Sequence, residues 1–280
     1  RARLMQVQRA FLCGNRLHLQ HGPIDLIIGV DGARAVAFEA AEQRLSSVLS
    51  ELMSEIALLR QWDGPSPKGL IARKMWTAAQ AHEGFVTPMA GVAGAVAETV
   101  LDAICTAGDQ RRAYVNNGGD IALHLSGDAT FDIAMAGLGG AALGKITLSA
   151  KSNVRGIATS GQAGRSLSFG IAQSVTVLAK TASMADVAAT LIAGAVDLPE
   201  HPLIHRAPAK DIRDDTDLGD QLVVRNVGAL TATEVGLALD AGARRAVNMQ
   251  NQRLIHAASL HLRGQSRQIE LNKEKVLEHA

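Results

Sequence analysis

Asp120 sits inside the run YVNNGGDIALHL, residues 114–125, where five turn-forming residues split what otherwise reads as one buried strand. Asn-Gly and Gly-Asp steps make hairpin turns. The same residues could also serve a ligand laid across a tight loop, because Gly118 and Gly119 allow close backbone approach and Asp120 can accept hydroxyl hydrogen bonds. Two other stretches carry comparable chemistry. GIATSG, residues 156–161, places Thr159, Ser160 and Gly161 in a small hydroxyl-bearing loop after a predicted strand, suited to phosphate or ribose. ADVAAT places Asp186 and Thr190 four residues apart on an apolar helix, so both project from one face. A carboxylate and a hydroxyl there suit a hard cation, and magnesium takes few carboxylates and fills its other positions with water or phosphate. Each stretch also has an ordinary reading: a hairpin turn, a helix cap at Asp186, a core residue at Thr190.

Other motifs carry less. GLGGAA, residues 137–142, fits the dinucleotide fingerprint and comes after a predicted strand. The next residues, LGKITLSA, read as a strand where the fingerprint needs a helix, and no acid stands about 20 positions on. A Gly-rich turn is the expectation. His18 and His21 lie three apart in a strand and so face opposite sides, which argues against a shared metal. His201 and His205 flank a Pro-containing loop with no carboxylate partner evident in the sequence.

These residues need elements to hold them. Residues 16–32 read as two strands around a Gly22-Pro23 turn. Ala33 to Arg60 reads as a helix, with Phe38, Ala41, Leu45, Val48, Leu52, Ile56 and Leu59 recurring at helical spacing. Lys68 to His82 reads as a second helix. Thr87 to Ile104 reads as a small-residue helix, capped by Thr87 with Pro88 in its first turn. Ala90, Gly91, Ala93, Gly94 and Ala95 leave so little bulk at its start that another backbone, or a ligand, can come very close. A strand-rich block comes next, then an apolar helix from Ser183 to Pro199, a polar excursion from Glu200 to Asp220, and a strand, helix, strand series. The order suggests α+β rather than a doubly wound sheet.

The bulk numbers bound the function. With 280 residues, 47% hydrophobic and 20% charged, the chain can bury a substantial core. A net charge of +1 with scattered basic residues, and 3% aromatics, argue against nucleic acid as a partner. No window has the roughly 18 uninterrupted apolar residues of a membrane span. Cys13 and Cys105 form no CxxC, which fits a reducing compartment, and RARLMQVQRAFLCGNR has no clean apolar signal segment, so the expected location is cytoplasmic. Ala/Gly-rich faces are compatible with a homodimer without requiring one.

Taken in order, VNNGGDI, GIATSG, SVTVLA and ADVAAT resemble the ApbE-like superfamily. Its best-known members are magnesium-dependent flavin transferases, which take FAD and attach FMN to a threonine of a target protein, releasing AMP. LHLQHGPIDLII, TPMAGVAGAVAE and YVNNGGDIALHL look like a sister branch known only as an uncharacterised protein family. The resemblance covers residues 14–265 and implies an α+β fold of two intertwined halves with a flavin nucleotide cleft between them. It makes residues 1–265 one domain and 266–280 a charged tail. By the same resemblance, Asp186 and Thr190 hold magnesium; Asn117, Gly118, Gly119, Thr159, Ser160, Gly161, Ala90 and Gly91 line the nucleotide; and Asp120 positions the substrate or acts as a base. Gly94 stands where the transferases carry Lys, and no DP.TG segment is evident between Gly164 and Ser174. Two readings stay open. One is a Mg²⁺-dependent flavin or nucleotidyl phosphoester transferase or hydrolase, with FAD as substrate and a protein acceptor. The other is a non-catalytic protein that kept the fold and holds a phosphorylated ligand.

Overall fold

Strand alternation starts early: in Arg16–His21 and Ile24–Gly32, Leu17, Leu19, Ile24, Leu26 and Ile28 turn to one buried face. These strands, β2 and β3, come after a short β1 (Gln8–Leu12), for which the sequence gives no alternating apolar signal. The computed structural model describes residues 6–136, 142–162, 164 and 166–271. After β3 come helices α1 (Arg34–Ser54), α2 (Ile56–Leu59), α3 (Leu70–Gln80) and α4 (Val92–Ala107). Next are β4 (Gln110–Asn117), β5 (Asp120–Leu125), β6 (Thr130–Ala136), β7 (Ala142–Ser149), β8 (Gly156–Ser160) and β9 (Ser174–Ala179). Helix α5 (Ala182–Ala195), strands β10 (Ile204–Pro208) and β11 (Leu222–Val227), helix α6 (Ala232–Asn251) and strands β12 (Ala257–Leu262) and β13 (Gln265–Ile269) complete the order.

Nine strands form one antiparallel sheet in the order β1-β2-β3-β4-β5-β8-β9-β12-β13. The α+β expectation therefore holds, with a large antiparallel sheet at its centre. Helices cover one face. Leu17, Leu26, Ile28 and Val115 pack with Leu45 and Val48 of α1 and Val100 and Ile104 of α4. Val175, Val177 and Leu260 pack with Ala189 and Ile192 of α5 and Leu239 of α6. Leu123, Leu125, Ile157 and Leu178 point the other way, toward the β6–β7 hairpin. The junction between β5 and β8 is narrow, with only Ile121↔Ile157 and Ala122↔Gly156 paired.

Several boundaries differ from expectation. The Ala33–Arg60 helix breaks at Glu55, whose carboxylate instead accepts the N–H groups of Lys68 and Gly69 at 2.7 and 2.6 Å. The Thr87 helix begins as a 3-10 turn, Pro88–Gly91, and Thr87 does not cap it; its hydroxyl donates to Asp217. The polar excursion contains β10, which pairs with β11 in a separate two-stranded ribbon. Strand β13 extends into the segment expected as a tail. The GLGGA run at residues 137–141 lies outside the described residues, and the next described element is strand β7 rather than a helix.

Candidate functional site

The NNGGD interruption is a two-residue hairpin turn. Asn117 and Asp120 pair across it, and Gly118 (φ +65°) and Gly119 (φ +115°) adopt the left-handed angles that such turns demand. Asn116 Oδ1 accepts the Gly119 N–H at 2.8 Å, which closes the turn. Turn chemistry alone thus accounts for the glycines. The turn is also aimed: Asn117 Nδ2 donates to the Ala93 carbonyl at 3.1 Å and ties the hairpin to the first turn of α4. A Cβ on Gly119 would meet no atom within 4 Å, so space lies open above the turn.

Helices α4 and α5 start beside this hairpin and cap each other. No side chain near Gly91 caps α4. Its Gly94 N–H donates instead to Asp186 Oδ2 of α5 at 3.0 Å, and the Ala93 N–H also reaches that carboxylate. In return, Glu98 of α4 accepts the Ser183 N–H of α5 at 2.6 Å, while Thr181 accepts from Met184 at 3.3 Å. Each helix receives a carboxylate from the other at its positive end. Lys74 of α3 pairs with Glu98 at 3.2 Å and with Asp102 at 2.8 Å.

This exchange requires the small residues. A Cβ on Gly94 would overlap the Ala182 backbone, and one on Gly156 would overlap the Thr181 backbone. A Cβ on Gly91 would come within 3.0 Å of Val187. Gly94 is thus a close-approach residue, and a lysine there has no room even for its first carbon.

Asp120 and Asp186, on β5 and α5, come close enough for the charge of one to disfavour the charge of the other. Asp120 Oδ1 accepts the Thr159 N–H at 3.3 Å, so its side chain bridges β5 to β8 just beyond their last backbone pair. Burial nevertheless raises its pKa to about 7, against the pull of that N–H. Asp186 is pushed well above the usual carboxylate range by burial, then by Asp120 and Glu98, although the Gly94 and Ala93 N–H groups oppose the shift. Both side chains keep partial contact with solvent. Two neighbouring carboxylates that resist joint ionisation have affinity for a proton or a hard cation.

The other predicted residues fall around this pair. Thr159 donates its N–H to Asp120, and its hydroxyl shares a hydrogen bond with the Thr176 hydroxyl at 2.9 Å. Ser160 pairs with Val175 at the end of β8, and Gly161 (φ +135°) turns the chain where a Cβ would press on the Gln173 carbonyl. Ala90 and Gly91 form the 3-10 approach to α4, with Gly91 packed on α5. Thr190 is partly exposed one turn along α5 from Asp186. Among the described residues no three His, Cys, Asp or Glu side chains group as metal ligands. Glu98 escaped the sequence reading, though it is the lone charge between Thr87 and Leu101 and so carried a signal. His201 does have a carboxylate partner, Glu234 at 3.0 Å, which sequence distance had hidden. His18 meets Asp25 at 3.1 Å, and His21 meets the Leu45 carbonyl at 3.2 Å. Cys13 and Cys105 are both free thiols.

Known proteins resemble this chain in sequence. The chain is 41% identical over 126 residues to a UPF0280 protein of Methanococcus vannielii, covering 42% of this chain and 49% of that protein. It is 41% identical over 125 residues to a UPF0280 protein of Methanobrevibacter smithii, covering 44% and 51%. The chain thus spans about half the length of the curated relatives it matches. The apo crystal structure of the Pseudomonas stutzeri flavinyl transferase ApbE aligns over 95% of this chain and 94% of that one, with a TM-score of 0.43 and 13% identity. The family model described as AbpE bacteria matches residues 8–268, and the chain belongs to that family.

Proposed function

We propose that the Asp120–Asp186 pair is a divalent-cation site that takes a phosphorylated nucleotide-type ligand, with magnesium as the cation and a flavin nucleotide as the ligand. The observation that carries this reading is the pair itself: two carboxylates raised by burial, Asp186 further by the charge of Asp120, beside open space above a glycine turn. The flavin part rests on the motif resemblance in the sequence. The donor set fits magnesium, because Asp120, Asp186 and the Thr190 hydroxyl are hard oxygen donors and phosphate or water would complete the shell. When bound, the ion would neutralise phosphate charge.

The chain's own residues do the rest. Asp186 is anchored by Gly94 at one oxygen and so is held in place. Asp120 is anchored at Oδ1 by Thr159, which leaves Oδ2 without a donor among the described residues. With a pKa of about 7, Asp120 Oδ2 can hold or release a proton near neutral pH, as a general acid or base requires. Gly118 and Gly119 let a phosphate or ribose approach the backbone. On this reading the chain is an ApbE-like flavin or nucleotidyl phosphoester transferase or hydrolase, working with a protein acceptor if it is a transferase.

One observation favours a second reading, a binding protein without chemistry. The packing of Gly94 against Ala182 excludes a cation at the position where the transferases carry one. FAD fluorescence titrations with and without Mg²⁺, on wild type and Asp186→Asn, test the site, since Asn keeps an acceptor toward Gly94. Binding that needs Mg²⁺ and is lost in the variant supports it; Mg²⁺-independent binding or none refutes it. AMP release on long incubation selects chemistry, and its absence from a saturated complex selects the second reading.

A further inference from the structure

Strand β1 (Gln8–Leu12) is an outer strand of the nine-stranded sheet, bonded to β2 in an unbroken register without a bulge. Four of its five residues are exposed, and Phe11 is 69% exposed. It has neither of two common protections of a sheet edge, proline or a bulge, and its single charge is Arg9. Arg9 and Phe11 share the face toward α1. Arg9 bonds Glu42 at 2.7 Å, its guanidinium lies 5.2 Å from the Phe11 ring centre, and Phe11 stands 6.3 Å from Phe38. A cleft of about 850 Å³ opens between β1 and α1, where Arg9, Arg34, Glu39 and Glu42 surround Phe11 and Phe38.

The opposite edge differs. Side chains of β13 are tied to the protein's own α6: Gln265 donates to the Ala232 carbonyl at 2.9 Å and Arg267 to Asp240 at 2.7 Å.

We propose that β1 is the docking surface for a second copy of this chain, strand against strand and antiparallel, so that the sheet continues across a two-fold axis. Charge complementarity identifies the occupant. The cleft carries two cations and two carboxylates around two aromatic rings, so the patch complements itself when rotated onto its own copy. Full overlap of the five residues sets Ala10 opposite the second copy's Ala10. Arg9 then lies opposite the second copy's Phe11, which repeats across the interface the cation–π contact made within each chain and takes an exposed ring out of water. A net charge of +1 opposes the approach very little.

Sedimentation equilibrium of the full chain at tens of micromolar tests the proposal. The wild type is expected at twice its 29.4 kDa chain mass, and Phe11→Lys at the single mass with an unchanged far-UV circular dichroism spectrum. A geometric test stands beside it. Antiparallel neighbours are about 4.5–5.5 Å apart at Cα, within disulfide reach. Ala10→Cys in a Cys13→Ser background should therefore give a disulfide-linked dimer on mild oxidation. A monomeric wild type, or a dimer unaffected by Phe11→Lys and not captured through Ala10→Cys, would overturn the proposal.

Discussion

Among the helix N-termini that receive carboxylates, those of α6 and α4 treat them in opposite ways. At the start of α6, Glu234 forms a capping box with Thr231 and also meets His201. Its side chain is 33% exposed, and these bonds, the Thr231 N–H first, hold its pKa down at about 2. At the start of α4, Asp186 likewise accepts helix N–H groups, yet burial and the neighbouring Asp120 push it up. Capping bonds are common to both, so they cannot explain the difference. Solvent access and the sign of the neighbouring charge do. The α6 carboxylate is a finished structural device. The α4 site is left short of positive charge, which is the condition for holding a proton or a cation.

The comparison can be broken first at the crossing that creates it. Gly94→Lys, which restores the cation of the transferases, should destabilise by about 3 kcal/mol in urea unfolding because its Cβ overlaps the Ala182 backbone. A variant as stable as wild type would mean that α4 and α5 can separate, and the packing explanation of Gly94 would fail.

The second test is pH. Asp120 titrates near 7 in the folded protein against an ordinary value of 3.8, so between those values the folded state holds a proton that the unfolded state has lost. Stability of the metal-free protein should fall as pH rises from about 4 past 7, Asp120 contributing on the order of 2–3 kcal/mol of that fall, and Asp120→Asn should shrink it to the part that Asp186 contributes. Glu234 works the other way: its contribution is present above about 4.5 and is lost as pH falls toward 2, so Glu234→Gln should flatten only the acid limb. Identical pH profiles for wild type and Asp120→Asn would remove the contrast.

Smaller effects sharpen it. Glu98→Ala leaves the Ser183 N–H without its acceptor and should lose about 1–2 kcal/mol, with Lys74 still held by Asp102. Thr231→Ala removes a simple surface cap and should lose about 1 kcal/mol without changing the alkaline limb. Denaturant midpoints at pH 6 and pH 8 check both.

Much of this was legible in the sequence because its signals are local. The helical spacing from Phe38 to Leu52 marked α1, the NNGGD run marked a turn, and the four-residue step from Asp186 to Thr190 put both on one helix face. The meeting of Asp120 with Asp186 was not legible. It depends on β5 pairing with β8 across the intervening β6–β7 hairpin, a long-range event with no local mark. The capping exchange between Asp186 and Glu98 was hidden for the same reason: each cap lies on another helix, not beside the end that it serves. Strands β1 and β13 were missed because exposed edge strands such as QRAFL and QSRQI lack regular apolar alternation.

Calorimetric titration of Mg²⁺ at pH 6.5, in two buffers of different ionisation enthalpy, shows whether Asp120 and Asp186 hold the cation. Saturable binding that releases a proton is expected, with both the release and most of the affinity lost in Asp120→Asn. Binding without proton release and unchanged in that variant, or no binding by the wild type with or without FAD, would contradict that role.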